Sequence, residues 1–150
     1  MSERKRIALT DAEVTALTTE QRKLQLGTIN PDGTPHLVTM FHAVVDGRIA
    51  FWTYRASQKA RNIDRDPRVT CLLEGGVDYF ELHGALIYGT AEVVTEPERV
   101  RRLGTAIVRR MLDGQGDEAI EPFVAATAAK RHAYLVDPVR VVSWDHRKLG

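Results

Sequence analysis

The densest run of chemistry-bearing residues in this 150-residue chain is Phe51-Trp52-Thr53-Tyr54-Arg55-Ala56-Ser57-Gln58-Lys59-Ala60-Arg61-Asn62. Aromatic and β-branched residues there give way to a hydroxyl followed by two cations. Ser57 is a preferred helix N-cap, so the run reads as a strand end passing into a short helix that Asp66-Pro67 stops. The first turn of such a helix leaves backbone N–H groups free, and these attract a phosphate or another anion. Lys59 and Arg61 would reinforce that attraction. The same spacing also fits a capped surface helix with solvated cations, and taken alone it favours this plainer reading.

Other chemistry is thinly represented. The sequence holds no G-x-G-x-x-G after a strand, no Walker lysine loop and no G-x-S-x-G elbow. Its five histidines form no H-x-x-x-H pair, so no metal site is expected. His36 and His42 could share a strand face, but they would stand about 20 Å apart at roughly 3.3 Å per residue, too far to hold one metal. Cys71 is the single cysteine, which rules out an internal disulfide and a cysteine zinc site. It lies in Val69-Thr70-Cys71-Leu72-Leu73 and reads as a small buried hydrophobe. No residue is singled out as catalytic.

A net charge of +1 argues against a protein that coats nucleic acid or an anionic membrane. The basic start Met1–Arg6 is followed by no apolar signal core, and no run of eighteen apolar residues occurs, so a cytoplasmic location is expected. With 43% hydrophobic and 27% charged residues, residues 1–150 read as one globular domain.

The elements that must position the Ser57 segment follow from pattern. Thr10-Asp11-Ala12-Glu13 is a capping box opening a short helix that ends near Thr19, with Val14 and Leu17 facing the core. Lys23–Ile29 reads as a strand closed by the turn Asn30-Pro31-Asp32-Gly33. Pro35–Val45 reads as one long strand, returned by the Asp46-Gly47 hairpin into Arg48–Thr53. Strands at Val69–Glu74 and Tyr79–Val94 come next, the second bending near Gly84 or Gly89. Glu96-Pro97-Glu98 starts a helix carrying Val100, Leu103, Ile107 and Met111, ended by Gly114 and Gly116. Its arginines Arg99, Arg101, Arg102, Arg109 and Arg110 read as a solvated face. Glu121–Lys130 reads as helical, and His132–Asp145 as one or two strands around Pro138. So many hairpin-linked strands predict an antiparallel barrel, mainly β with flanking α. Neither face of Pro35–Val45 is cleanly polar, which predicts that both are covered, one by the core and the other by a subunit, a cofactor or helices.

Four motifs occur in order: Gln25-Leu26-Gly27-Thr28-Ile29, Pro31-Asp32-Gly33-Thr34-Pro35-His36, Ser57-Gln58-Lys59-Ala60-Arg61-Asn62 and Asp66-Pro67-Arg68-Val69. Together they resemble the pyridoxamine 5′-phosphate oxidase-like split-barrel superfamily. Within it, the spacing S-x-K-x-x-N before R-D-P-R-V looks most like the F420-dependent flavin/deazaflavin oxidoreductase B group. The ending Ser143-Trp144-Asp145-His146-Arg147-Lys148-Leu149 is similar to some actinobacterial members.

The resemblance implies a six-stranded antiparallel split barrel working as a homodimer, with cofactor clefts at the subunit interface. It implies coenzyme F420 as cofactor, with FMN as the alternative, and a hydride exchanged with a small electron-poor acceptor such as an enone or quinone-like ring. An FMN-dependent oxidase or reductase, or a non-catalytic F420-, flavin- or haem-binding protein, are the rival readings. Carried over by position, Lys59 meets the cofactor phosphate, with Ser57 and Asn62 flanking it. His36, Val38 and Thr39 run beside the ring system, Thr53 and Tyr54 end the adjoining strand, and Tyr79 supplies an aromatic. Some relatives carry a basic residue where this chain has Ser57. Trp144, His146, Arg147 and Lys148 either reach the other subunit's cleft or form an amphipathic tail around one buried indole.

Overall fold

The computed structural model describes residues 2–150, leaving Met1 of the basic N-terminal run outside. The elements are α1 (Glu3–Arg6), α2 (Asp11–Glu20), β1 (Lys23–Ile29), β2 (Pro35–Phe41), β3 (Ala43–Val45), β4 (Arg48–Tyr54), α3 (Gln58–Arg65) and β5 (Arg68–Gly75). The chain continues through β6 (His83–Val94), α4 (Pro97–Met111), α5 (Asp117–Ala128) and β7 (Arg131–Asp145). All strand pairs are antiparallel, in the order β2-β1-β5-β6-β7-β4-β3.

The sheet has seven strands rather than six because Pro35–Val45 is cut in two at His42. The two pieces stand at opposite edges of the sheet, yet a single residue joins them. The sheet must therefore curl until its edges meet, which makes the split barrel. The break also removes His42 from the strand face expected to carry it with His36. Its amide donates to the Arg22 carbonyl at 3.2 Å, and its fully buried ring places Nε2 2.8 Å from the Thr18 carbonyl oxygen.

Several local expectations stand. The Thr10–Glu13 capping box has both of its hydrogen bonds. Asp46 and Gly47 adopt φ of 50° and 77°, the left-handed pair that a two-residue hairpin needs. The register of β6 against β7 shifts between Tyr88 and Gly89, one of the two glycines proposed for the bend. Others are corrected. Residues 79–81 form a 3₁₀ turn, and β6 begins only at His83. Helix α5 starts at Asp117, whose carboxylate and that of Glu118 suit the positive helix end; Pro122 lies inside it rather than opening it. β7 is one 15-residue strand running through Pro138, the first of the two arrangements expected there.

Two cores result. The barrel interior holds Leu24, Leu26, Ile63, Cys71, Leu73, Ile87 and a stacked Phe51–Tyr134 pair with centroids 5.0 Å apart. Burial pushes the Cys71 thiol up to about 12, so it stays protonated. A second core lies outside the barrel, where Trp52, Val94 and Leu135 meet Val100, Leu103, Ile107, Ile120 and Val124 of α4 and α5. Gly104 makes this contact possible: a Cβ there would lie 2.3 Å from the Trp52 ring.

Elsewhere no helix among the described residues covers the outer wall. One row of neighbours runs Thr39, Gln25, Leu72, Leu86 and Val142; the next runs Leu37, Gly27, Thr70, Tyr88 and Arg140. The inner face of β2 is covered, since Val38 and Met40 pack on the barrel core; on its outer face Phe41 packs against the second core while Leu37 is 69% exposed. No helix among the described residues is long and apolar enough to cross a membrane.

Candidate functional site

β4 delivers an aromatic strand end directly to the start of α3. The Ser57 amide donates to the Tyr54 carbonyl at 3.0 Å, closing the turn. The Ser57 hydroxyl oxygen accepts the Ala60 amide at 3.2 Å and lies 3.3 Å from the Thr53 hydroxyl. Thr53 is buried and Tyr54 is exposed, their side chains on opposite faces of β4, and this strand end meets the cap as a ledge with one side chain turned in and one out. Asn62 is fully buried. Its amide group donates to Thr28 Oγ1 and Asn30 Oδ1, both at 3.0 Å, and its carbonyl oxygen accepts from Gln58 at 2.8 Å. Both of its N–H donors are thus committed within the chain, and Asn62 pins α3 to β1 and the turn after it.

Lys59 is half-buried beside this ledge. Desolvation, and secondarily the Arg131 charge, hold its ammonium below the usual lysine range. Arg131, the first residue of β7, pairs with Tyr54 in the ladder. Its guanidinium carbon lies 4.1 Å from the Tyr54 ring centroid and 4.8 Å from that of Trp52. Among the described residues, neither Lys59 nor Arg131 forms an ion pair, and Arg131 Nε is buried without a partner. Two neighbouring cations with no compensating carboxylate make a place that favours an anion.

The remaining predicted residues divide. His36 and Gln58 line one opening together with Asn30, Pro31 and Asp32, and His36 Nδ1 is buried there without a partner. Thr39 donates to Gln25 Oε1 at 2.8 Å and lines a cleft with Trp52 and Arg131. Val38 points into the barrel, packed on the core. Tyr79 stands apart from this group. It is 62% exposed in its 3₁₀ turn, with its ring 4.6 Å from that of His146 and its carbonyl 2.7 Å from His146 Nδ1. The C-terminal tail is held by its own chain: Lys148 donates to the Ala8 carbonyl at 3.0 Å and to Glu13 at 2.7 Å, and Asp145 takes two bonds from the Arg147 guanidinium. Trp144 lies across Gly84, where a Cβ would meet its ring at 2.6 Å.

Residues 10–145 match the family model described as pyridoxamine 5′-phosphate oxidase. The chain belongs to the pyridoxamine 5′-phosphate oxidase family. Among solved structures, this family member is similar to the conserved hypothetical protein Rv2991 from Mycobacterium tuberculosis. The two are 42% identical over 100% of this chain and 93% of that one, with a TM-score of 0.91. A protein described as an F420 reductase shares the fold at 22% identity and a TM-score of 0.67, over 84% of this chain and 93% of that chain. So does a FAD-binding protein from Mesorhizobium loti, at 15% identity and a TM-score of 0.64, over 91% and 94%. No curated protein sequence gave a match.

In this pyridoxamine 5′-phosphate oxidase family member, sequence reasoning missed Arg131. Nothing in the segment around Lys130-Arg131-His132 marks it, because its role comes from pairing with a strand 77 residues earlier at Tyr54. A cation opening the last strand was the available signal, and the strand partner was not readable from spacing.

Proposed function

We propose that this protein is an F420-dependent oxidoreductase, acting as a homodimer, that moves a hydride between the deazaflavin and a small electron-poor acceptor. The observation that carries the reading is the uncompensated Lys59 at the capped start of α3. A half-buried ammonium without a carboxylate partner gains from a bound anion. The helix amides behind Ser57 point the same way. A phosphorylated cofactor therefore fits the residues present, with its anionic arm on Lys59 and its ring toward the ledge of Thr53 and Tyr54 and the opening beside His36.

F420, when bound, supplies the hydride chemistry. The chain's own part is orientation and exclusion of water. Lys59 holds the anionic arm, and Asn62 fixes the helix that carries it. His36 is the imidazole at that opening, with its Nδ1 buried and unpartnered.

The homodimer is supported by the outer wall. Leu37 is exposed and Leu72, Leu86, Val142 and Tyr88 are half-buried on a wall that no helix among the described residues covers, as expected of a subunit interface. Light scattering should then report a dimer, and a monomer at every concentration overturns that part of the proposal.

Titration of the purified protein with F420 and with FMN, followed by tryptophan fluorescence, tests the cofactor. Selective F420 binding supports the reading. Tighter FMN binding transfers the same anion site to an FMN enzyme, and binding of F420 without turnover of any enone or quinone acceptor makes the protein a carrier.

A further inference from the structure

We propose that the cleft between the sheet and helices α4 and α5 is a separate binding site for a small monocarboxylate with a flat apolar body, and that Arg131 is its recognition residue. From the reading above it takes only the assignment of the cofactor's anion to Lys59.

The cleft is walled by Met40, Phe41, Trp52, Ile107, Met111 and Phe123, with Arg131 and Thr39 at its polar side. The Thr39 hydroxyl is already given to Gln25, so the guanidinium is the free polar group in it. The volume is about 180 Å³. A cavity of about 150 Å³ holds a single benzene ring, so one ring with a short substituent suits the space.

Arg131 is arranged as a receptor. Its place over the Tyr54 and Trp52 rings limits how the planar group can turn, and a fixed guanidinium offers paired N–H donors that match a carboxylate. Its Nε is buried without a partner, which leaves the two terminal nitrogens of the guanidinium to meet a ligand from the cleft. Charge and lining together select the class. Of the two neighbouring cations only Arg131 lines the cleft, and one guanidinium against apolar walls balances one negative charge, whereas a phosphate monoester would bring nearly two. Trp52 is held beneath Gly104 and is 4% exposed, which makes that wall rigid.

Benzoate and benzamide, similar in shape and different in charge, are the probes, titrated by ligand-observed NMR against the full chain. Benzoate should bind at least about tenfold more tightly than benzamide. In Arg131→Gln the two should bind within about twofold of each other, the change falling on benzoate. Met111→Trp, which fills the cleft, should weaken both while its circular dichroism stays that of the wild type. Equal binding of the two probes to the wild type, no saturable benzoate binding, or a preference that survives Arg131→Gln overturns the site. F420 and FMN titrations on the same wild-type sample are read separately. Loss of cofactor binding with benzoate preference intact overturns the functional reading above and leaves this site standing.

Discussion

Across β4 and β7 the outer wall of the barrel is sealed by α4 and α5, with Trp52 at 4% exposure. Away from Phe41 and Val94, across the rest of β2, β1, β5 and β6, the same kind of wall lies bare, with Leu37 at 69%. Both walls alternate residues in and out with the pleat, and both carry apolar side chains outward. They differ in their cover: helices folded back from the same sequence complete the first wall, while the second has no such segment. The candidate site sits against the sealed wall, where Trp52 supports Arg131 from below. Rigidity is thus concentrated beside the site, and the unfinished surface lies across the barrel, available to a second copy.

The contrast can be broken most severely at Gly104. Gly104→Val would drive a β-branched side chain into the Trp52 ring and should cost roughly 3 kcal/mol of stability, well above any gain in helix propensity. Chemical denaturation would show it as a lower midpoint, and a wild-type midpoint would mean that the sealed wall is softer than the packing shows. Next in size is Lys59→Ala, which should weaken F420 binding by about 1.5–3 kcal/mol by removing a charge-assisted contact. Unchanged affinity by fluorescence titration would take Lys59 out of the site. On the bare wall, Leu37→Ser should change the denaturation midpoint of dilute protein by less than about 0.5 kcal/mol, while raising the concentration at which light scattering reports dimers. A large loss of monomer stability would show that Leu37 belongs to the core after all.

The smallest effect concerns pH. Burial, the larger cause, and the Arg110 charge hold the His42 imidazole below its ordinary range, against the pull of the Thr18 carbonyl. The unfolded chain, titrating near about 6.5, takes up that proton first, so stability is full above that value. It declines as pH falls toward the depressed folded value. His42→Gln should flatten the denaturation midpoint between neutral and mildly acidic pH, and an unaltered slope would assign the dependence to other groups.

Local chemistry made much of this molecule legible in its sequence. The capping box at Thr10, the hairpin glycine at Gly47, the cap at Ser57 and the start of α4 at Pro97 are each set by one or two side chains acting on their own backbone. Long-range pairing was not legible. The periodicity of Pro35–Val45 gives no sign that His42 parts it, since that break serves a closure between strands at opposite edges. Tyr79 read as part of a strand because its aromatic neighbours suit one, yet the Asp78–Glu81 capping pattern turns the chain there. At the site, Ser57 and Lys59 stood out by spacing, whereas Arg131 did not, because only the β4–β7 register brings it to Tyr54.

The lone thiol has a practical side. Sealed in the barrel and kept protonated, Cys71 should ignore maleimides and iodoacetamides at neutral pH while the protein is folded. The wild type is therefore a blank background for site-specific labelling. A Leu37→Cys variant would carry a single addressable sulfur on the bare wall, ready to take a fluorophore or spin label that reports the distance between copies if the proposed homodimer forms.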